Sequence, residues 1–423
     1  MKPAHRPFLP LILAAFAVLA LSYSLVTRLK YGPDEPAHFI YIRSLATELA
    51  PPPISHTITP DENSIPSHEG HQPPLYYALM AVAFALVHWA GASDDTIWRV
   101  LRLLDIPIGL LWIGSAYALT REYFEREQHA LAATAFVALI PTSSYMAGVI
   151  NNEMLISLLF TCAMLPILRY FRTGSIAGRS AAFLGALIGL AALTKAQGLL
   201  LVPIFLTAAF LGLRRRRYAN WLDTLRSVAV VLGIAVAVSG WWFARSWLLY
   251  GTPMPHSLNV PILTEGLVDV VVMPGTCLLV AVISTGAAYC YFWVPYWILW
   301  PFVHNMRPLI AVMSSLTLLV LIGLVARVRR GGVDTGSLVF LLLAPVTVYL
   351  TWLRYALFVD RWANLQGRLF LCVAAVVGIV WVLGLDGLAT SDRARKIGAA
   401  VGFAFMLLAN VGVIACAVTL YRS

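Results

Sequence analysis

Long apolar runs separated by short basic loops set the pattern of this chain. The runs lie near 10–28, 100–119, 130–149, 154–170, 181–194, 198–213, 227–249, 308–326, 337–356, 369–385 and 398–420. A helix of about 20 apolar residues crosses about 30 Å of hydrocarbon, so the pattern predicts roughly eleven crossings. The fold class is an all-α polytopic membrane protein, a single transmembrane domain over 1–423. The first run, Pro10–Val26, lacks a small-residue cleavage site followed by a soluble mature chain and reads as an uncleaved anchor.

Basic residues fix the orientation. Lys2/Arg6, Arg121/Arg126, Arg169/Arg172/Arg179, Arg214–Arg217, Arg327/Arg329/Arg330 and Arg393/Arg395/Lys396 alternate with the runs and fall on one side. Cytoplasmic loops carry the excess of Lys and Arg, so the N-terminus is expected inside and the C-terminus outside. The first extracytoplasmic loop, 30–99, and a second large segment, 251–307, then face outward.

Two apolar stretches in those segments test the parity. If Pro73–Ala90 crossed alone, Arg214–Arg217 and Arg327/Arg329/Arg330 would lie outside, against the charge rule. It is therefore read as a juxtamembrane helix, with Tyr76, Tyr77 and Trp89 at headgroup level. Leu267–Phe302 crosses zero or two times. Its aromatic residues (Tyr289, Tyr291, Trp293, Tyr296, Trp297 and Trp300) place at least the second half at the interface.

Composition agrees. Of 423 residues, 60% are hydrophobic and 12% charged, too greasy for one soluble core. The net charge of +10 arises from the short basic loops, so nucleic acid is not the expected partner. Of the five cysteines, Cys162, Cys372 and Cys416 fall inside runs as small apolar groups. The spacing of Cys277 and Cys290 gives no reason to expect pairing.

On this topology the unusual polar residues share the outer side. The first loop opens with Gly32-Pro33-Asp34-Glu35-Pro36-Ala37-His38 and closes with His68-Glu69-Gly70-His71-Gln72-Pro73-Pro74-Leu75-Tyr76-Tyr77. Asn151-Asn152-Glu153, Thr194-Lys195-Ala196-Gln197, Arg245, Arg361 and Gln366-Gly367-Arg368 follow in later loops. Each has a structural reading. Asp34 and Glu35 suit the first turn of a helix from Pro36, and Glu153 after two asparagines suits another. His38, four residues after Asp34, shares its helical face and reads as a core histidine. His56, His68 and His71 match no standard zinc spacing. Lys195, Arg245 and Arg368 suit interfacial snorkelling. Two carboxylate sites and three cations gathered at helix ends on one side also mark a functional cavity.

Taken in order, these motifs resemble the GT-C superfamily of membrane glycosyltransferases, in its protein O-mannosyltransferase and aminoarabinose-transferase branch. The likeness is closer still to a family of predicted bacterial membrane proteins within that superfamily. Asp34-Glu35 with His38, His71-Gln72-Pro73-Pro74-Leu75-Tyr76-Tyr77, Asn152-Glu153, Thr194-Lys195 and Gln366-Gly367-Arg368 carry it. The resemblance implies a GT-C-type bundle in the bacterial cytoplasmic membrane with an extracytoplasmic site. Sugar would pass from a polyprenyl-phosphate donor to a hydroxyl on a glycan, lipid or protein, with inversion, and membrane lipids would surround the bundle. Asp34 would be the base, with Glu35 or Glu153 orienting the acceptor or a divalent metal ion. Lys195, Arg245 and Arg368 would hold the donor phosphate. His38, His71, Tyr76, Asn152 and Gln366 would position donor or acceptor. Unlike some larger members of the superfamily, the chain is expected to carry no large soluble domain after the last span.

A transporter or flippase is the rival from another class. It would be expected to show internal repeats and charges near the bilayer midplane. No repeat is visible, and Asp105 is the one acid well inside an apolar run. A ligase of lipid-linked glycans would share donor and site, differing in what it transfers.

Overall fold

The computed structural model describes residues 8–54, 68–215, 221–255, 274–293, 295, 307–358 and 366–422. Lys2, Arg6, His56, Arg216, Arg217, Tyr296, Trp297, Trp300, Arg361 and the side chain of His68 fall outside it. All regular structure among the described residues is helical. The helices are α1 (Phe8–Val26), α2 (Glu35–Glu48), α3 (Leu75–Trp89), α4 (Asp94–Tyr123) and α5 (Glu127–Leu139). Next come α6 (Pro141–Met146), α7 (Glu153–Thr173), α8 (Gly178–Thr194), α9 (Leu201–Arg215) and α10 (Trp221–Tyr250). The last five are α11 (Pro274–Trp293), α12 (Arg307–Arg329), α13 (Thr335–Phe358), α14 (Ala374–Leu388) and α15 (Asp392–Arg422). Tight 3₁₀ turns at His68–His71, Ala196–Leu200 and Gly367–Val373 lead into α3, α9 and α14.

Among the described residues, nine helical segments are long and apolar enough to cross a membrane, and each coincides with a predicted run. The run at 181–194 is the 17-residue α8. The run at 130–149 is not one helix. Pro141 removes a backbone donor and holds Ile140 in an extended conformation, so the chain breaks into α5 and the six-residue α6. The break lies inside protein, where such backbone is tolerated because neighbours satisfy it. Asn410 Nδ2 donates to the Leu139 carbonyl at 2.9 Å, and Ser144 Oγ donates to that of Ala138 at 3.1 Å.

Polar contacts identify the two ends of the bundle. At one end Arg172 reaches Asp334 and the Glu122 carbonyl, and Arg327 and Arg395 flank Asp386. This end collects the basic loops. At the opposite end Arg102, two turns into α4, donates to the carbonyls of Ser24, Thr27 and Arg28. The chain leaving α1 has therefore returned to the same end when α4 begins, and α2 and α3 make no net crossing. The fifteen-residue α3 is also short, spanning about 22 Å at 1.5 Å per residue.

Two expectations about aromatic residues are corrected. Tyr76 and Tyr77 are fully buried in protein rather than set among headgroups, whereas Trp89 is exposed. Tyr289 and Trp293 belong to α11, a helix whose rings pack into the bundle. Tyr289 donates to the Met313 carbonyl at 3.0 Å, and the buried Trp293 packs on Phe136 and Trp381. The interface reading failed because these rings fill gaps between helices, a use that composition alone does not separate from a membrane belt.

Candidate active site

At the α2 end, five loops converge. Asp34 occupies the N-cap position of α2 with φ 54°, a left-handed conformation that Asn and Asp tolerate better than most residues. Its side chain makes no capping bond and pairs instead with Arg368 Nη2. The capping reading of Asp34 is thus replaced by a tertiary contact. Arg368 is held on its other edges by Gln366 Oε1 at 2.7 Å and the Pro33 carbonyl at 3.3 Å. Gly367 makes this possible. A Cβ there would meet Phe292 N at 2.1 Å and the Ala288 carbonyl at 2.2 Å, so only glycine lets the turn press against α11.

Glu153 opens α7, again without a side-chain cap from Asn152. Its backbone N–H donates to Asn151 Oδ1 at 2.8 Å, and its carboxylate pairs with Lys195 and lies 3.8 Å from Arg368 Nε. Lys195 sits in an extended residue between α8 and the following 3₁₀ turn, and Gln197 ties that turn to the Leu369 carbonyl at 2.6 Å. Asp34, Arg368, Glu153 and Lys195 thus form one linked array. Asp34 retains a side-chain exposure of 23%, and Lys195 of 14%, so the array is reachable at both ends.

Behind it lies a buried layer. His38 Nδ1 is 2.9 Å from the Tyr77 hydroxyl, and Asn152 Nδ2 donates to the same hydroxyl at 3.4 Å. Burial lowers the His38 pKa to about 4, against the opposing charges of Glu69 and Asp34, so the ring is neutral at pH 7. Tyr77 stacks on Tyr41 at 3.8 Å, and Tyr41 donates to the Gln72 carbonyl at 3.1 Å. His71, half-buried, sits 3.1 Å from the Gln72 amide at the rim.

Three assignments change. Glu35 faces Arg102 rather than the array. It is fully buried, paired with Arg102 through two 2.6 Å contacts, and accepts from Gly32 N at 3.0 Å and Ile150 N at 3.1 Å. Every part of that carboxylate is used in joining α1, α2, α4 and the turn before α7. Tyr76 lies beneath the site, donating to Asp105 at 2.8 Å and accepting from Asn151 N at 3.0 Å. Arg245 packs over Trp242 at 5.0 Å, close enough to Tyr41 for its charge to act there.

Sequence reasoning passed over Glu69 and Arg102. Glu69 is buried close enough for its charge to act on His38 and Tyr77, and its Oε2 has no hydrogen-bond partner among the described residues. Arg102 carried a usable signal, a cation inside an apolar run. No three His, Cys, Asp or Glu side chains converge as metal ligands among the described residues.

Residues 71–242 match the family model for dolichyl-phosphate-mannose-protein mannosyltransferase. ArnT from Cupriavidus metallidurans, in its form bound to undecaprenyl phosphate, superposes with a TM-score of 0.53 at 17% identity. The alignment covers 96% of this chain and 65% of ArnT. This chain shares the fold of ArnT. A second solved structure, the oligosaccharyltransferase of Archaeoglobus fulgidus in its apo form, gives a TM-score of 0.53 at 14% identity over 99% of this chain and 57% of that one. The chain thus spans less than two thirds of the length of either structure. No curated protein sequence matches it. The matched segment holds Glu153 and Lys195, while Asp34 and Arg368 lie outside it.

Proposed function

We propose that this protein transfers a sugar from a polyprenyl-phosphate-linked donor to an acceptor hydroxyl at the extracytoplasmic face of the membrane. The observation that carries the reading is the array in which Asp34 is paired to Arg368 and Glu153 to Lys195. Breaking the bond between an anomeric carbon and a phosphate oxygen leaves negative charge on the phosphate. Preorganised cations stabilise that charge. Arg368 and Lys195 are the two cations at hand, less than a side chain apart through Glu153.

A donor phosphate that takes Arg368 displaces it from Asp34. The freed carboxylate is then an acceptor-only group beside the leaving group, as a general base requires. Attack by the activated hydroxyl in one displacement inverts the anomeric centre, and the proton passes to Asp34. Glu153, almost fully buried, keeps Lys195 in place rather than meeting the acceptor. The neutral His38 and the Tyr77 hydroxyl form a polar floor behind Asp34. ArnT, of the same fold, binds undecaprenyl phosphate, which supports a carrier of this chemistry.

The test is transfer by the full chain in liposomes supplied with a panel of polyprenyl-phosphate sugars and hydroxyl acceptors. Release of polyprenyl phosphate that depends on the acceptor is expected for one donor. A chain that moves intact lipid-linked sugar across the bilayer with no bond cleaved would establish the flippase instead.

A further inference from the structure

A second basic site lies at the same end of the bundle, between the chain leaving α1 and the first turns of α4. Arg28, Lys30 and Arg99, with Asp95, line a cavity of about 370 Å³ walled by Leu25 and Leu29. Three cations face one carboxylate, on the side that the charge rule expects to be poor in cations. The proposed reaction uses none of them.

The cations sit on a fixed backbone. The buried Arg102 guanidinium ties this segment down by donating to the carbonyls of Ser24, Thr27 and Arg28 while paired to Glu35. Arg28 lies over the Tyr31 ring at 4.9 Å, and Lys30 takes a left-handed φ of 73° that aims it toward Trp98 at 6.0 Å. Thr27 also lines the cavity. It is 3% exposed, and its hydroxyl has no hydrogen-bond partner among the described residues. Below this rim the bundle presents apolar surface, with Leu25 67% exposed and Leu21 40%.

We propose that this cavity binds the phosphate headgroup of an anionic phospholipid, with Arg28, Lys30 and Arg99 on the headgroup and the acyl chains along α1. A headgroup phosphate offers acceptors for three cations and the Thr27 hydroxyl, and the leucine wall suits the chains that follow it. An excess of two positive charges favours a net-negative headgroup over a zwitterionic one. Each cation beside an anionic lipid surface contributes about fivefold in affinity.

The experiment uses the purified full chain and the Arg28→Gln/Arg99→Gln double variant, whose changes leave the Arg102 contacts to the backbone intact. Binding of phosphatidylglycerol and of phosphatidylcholine is measured by native mass spectrometry and by thermal shift in detergent. The parent is expected to prefer phosphatidylglycerol by about tenfold or more, and the variant to lose that preference by roughly 25-fold in affinity, two cations at about fivefold each. Inorganic phosphate at equal concentration should not reproduce the shift. Equal binding of both lipids by the parent, or an unchanged preference in the variant, overturns the proposal. So does a full effect of inorganic phosphate, which would mark a site for a free anion. If the glutamine variant does not fold, Arg28→Lys/Arg99→Lys is expected to fold and keep the preference, and Lys30→Gln alone to reduce it about fivefold.

Discussion

Asp34 and Arg368 stand 334 positions apart in sequence and form an ion pair. The contact closes the bundle end, because Asp34 follows the first span and Arg368 opens the turn into α14. It also gives Arg368 a direct test. Replacing Arg368 with alanine is expected to weaken donor binding or slow transfer by roughly tenfold to a thousandfold, the range for losing one charge-assisted contact. Arg368→Lys should recover only part, since lysine lacks the planar fork that reaches Asp34, Gln366 and the Pro33 carbonyl together. Normal rate and donor affinity in both variants would remove Arg368 from the site.

Arg245→Ala should behave differently. Its described contact is the face of Trp242 rather than a carboxylate of the array, so turnover should change by less than about threefold. A loss as large as that of Arg368→Ala would place it at the donor.

Glu35 and Arg102 are expected to act on folding. Both side chains are essentially unexposed, and leaving one without the other strands a buried charge, at a cost of about 3–5 kcal/mol. Arg102→Met should therefore lower thermal stability in detergent sharply, and the fraction that remains folded should transfer at near the parent rate per molecule. A stable Arg102→Met protein without activity would contradict this division of roles.

His38 supplies a pH dependence. Burial lowers its pKa to about 4 from an ordinary 6.5, so between those values the unfolded chain binds the proton that the folded chain refuses. The neutral ring's contribution is fully present above pH 6.5 and is lost as pH falls toward 4. Thermal stability should decline across that window in the parent, and less steeply in His38→Asn. Identical slopes would mean that another group governs it.

Most of the helical framework was legible because a span in hydrocarbon must satisfy its own backbone and needs a fixed apolar length. The alternation of basic loops carried the parity of α2 and α3, and the Arg102 contacts join the start of α4 to the end of α1. The split of α5 from α6 at Pro141 was less legible, since the apolar run continues through it. At the site, residue types were visible but pairings were not. Asp34 and Glu35 are neighbours with equal chemistry in sequence, yet backbone geometry turns one toward Arg368 and the other toward Arg102. Glu69 stood in a polar loop, where nothing local announced that its carboxylate would be buried beside His38.

The orientation can be read by labelling. A cysteine at Asp94, at the site end, should react with an impermeant thiol reagent from outside intact cells. One at Gln128, at the basic end, should be protected. Both positions are exposed, so access to reagent decides the outcome. The reverse pattern would place the array in the cytoplasm.

Asp34→Asn tests the central claim most directly. Asparagine tolerates the left-handed backbone at this position and can still accept a hydrogen bond from Arg368, so the fold should persist. Only the proton acceptor is lost. Transfer from the polyprenyl-phosphate donor, measured in liposomes beside thermal stability in detergent, should fall by on the order of a hundredfold or more. The melting temperature should stay close to that of the parent. An Asp34→Asn protein that transfers sugar at the parent rate would contradict the account and make the Asp34–Arg368 pair a structural tie.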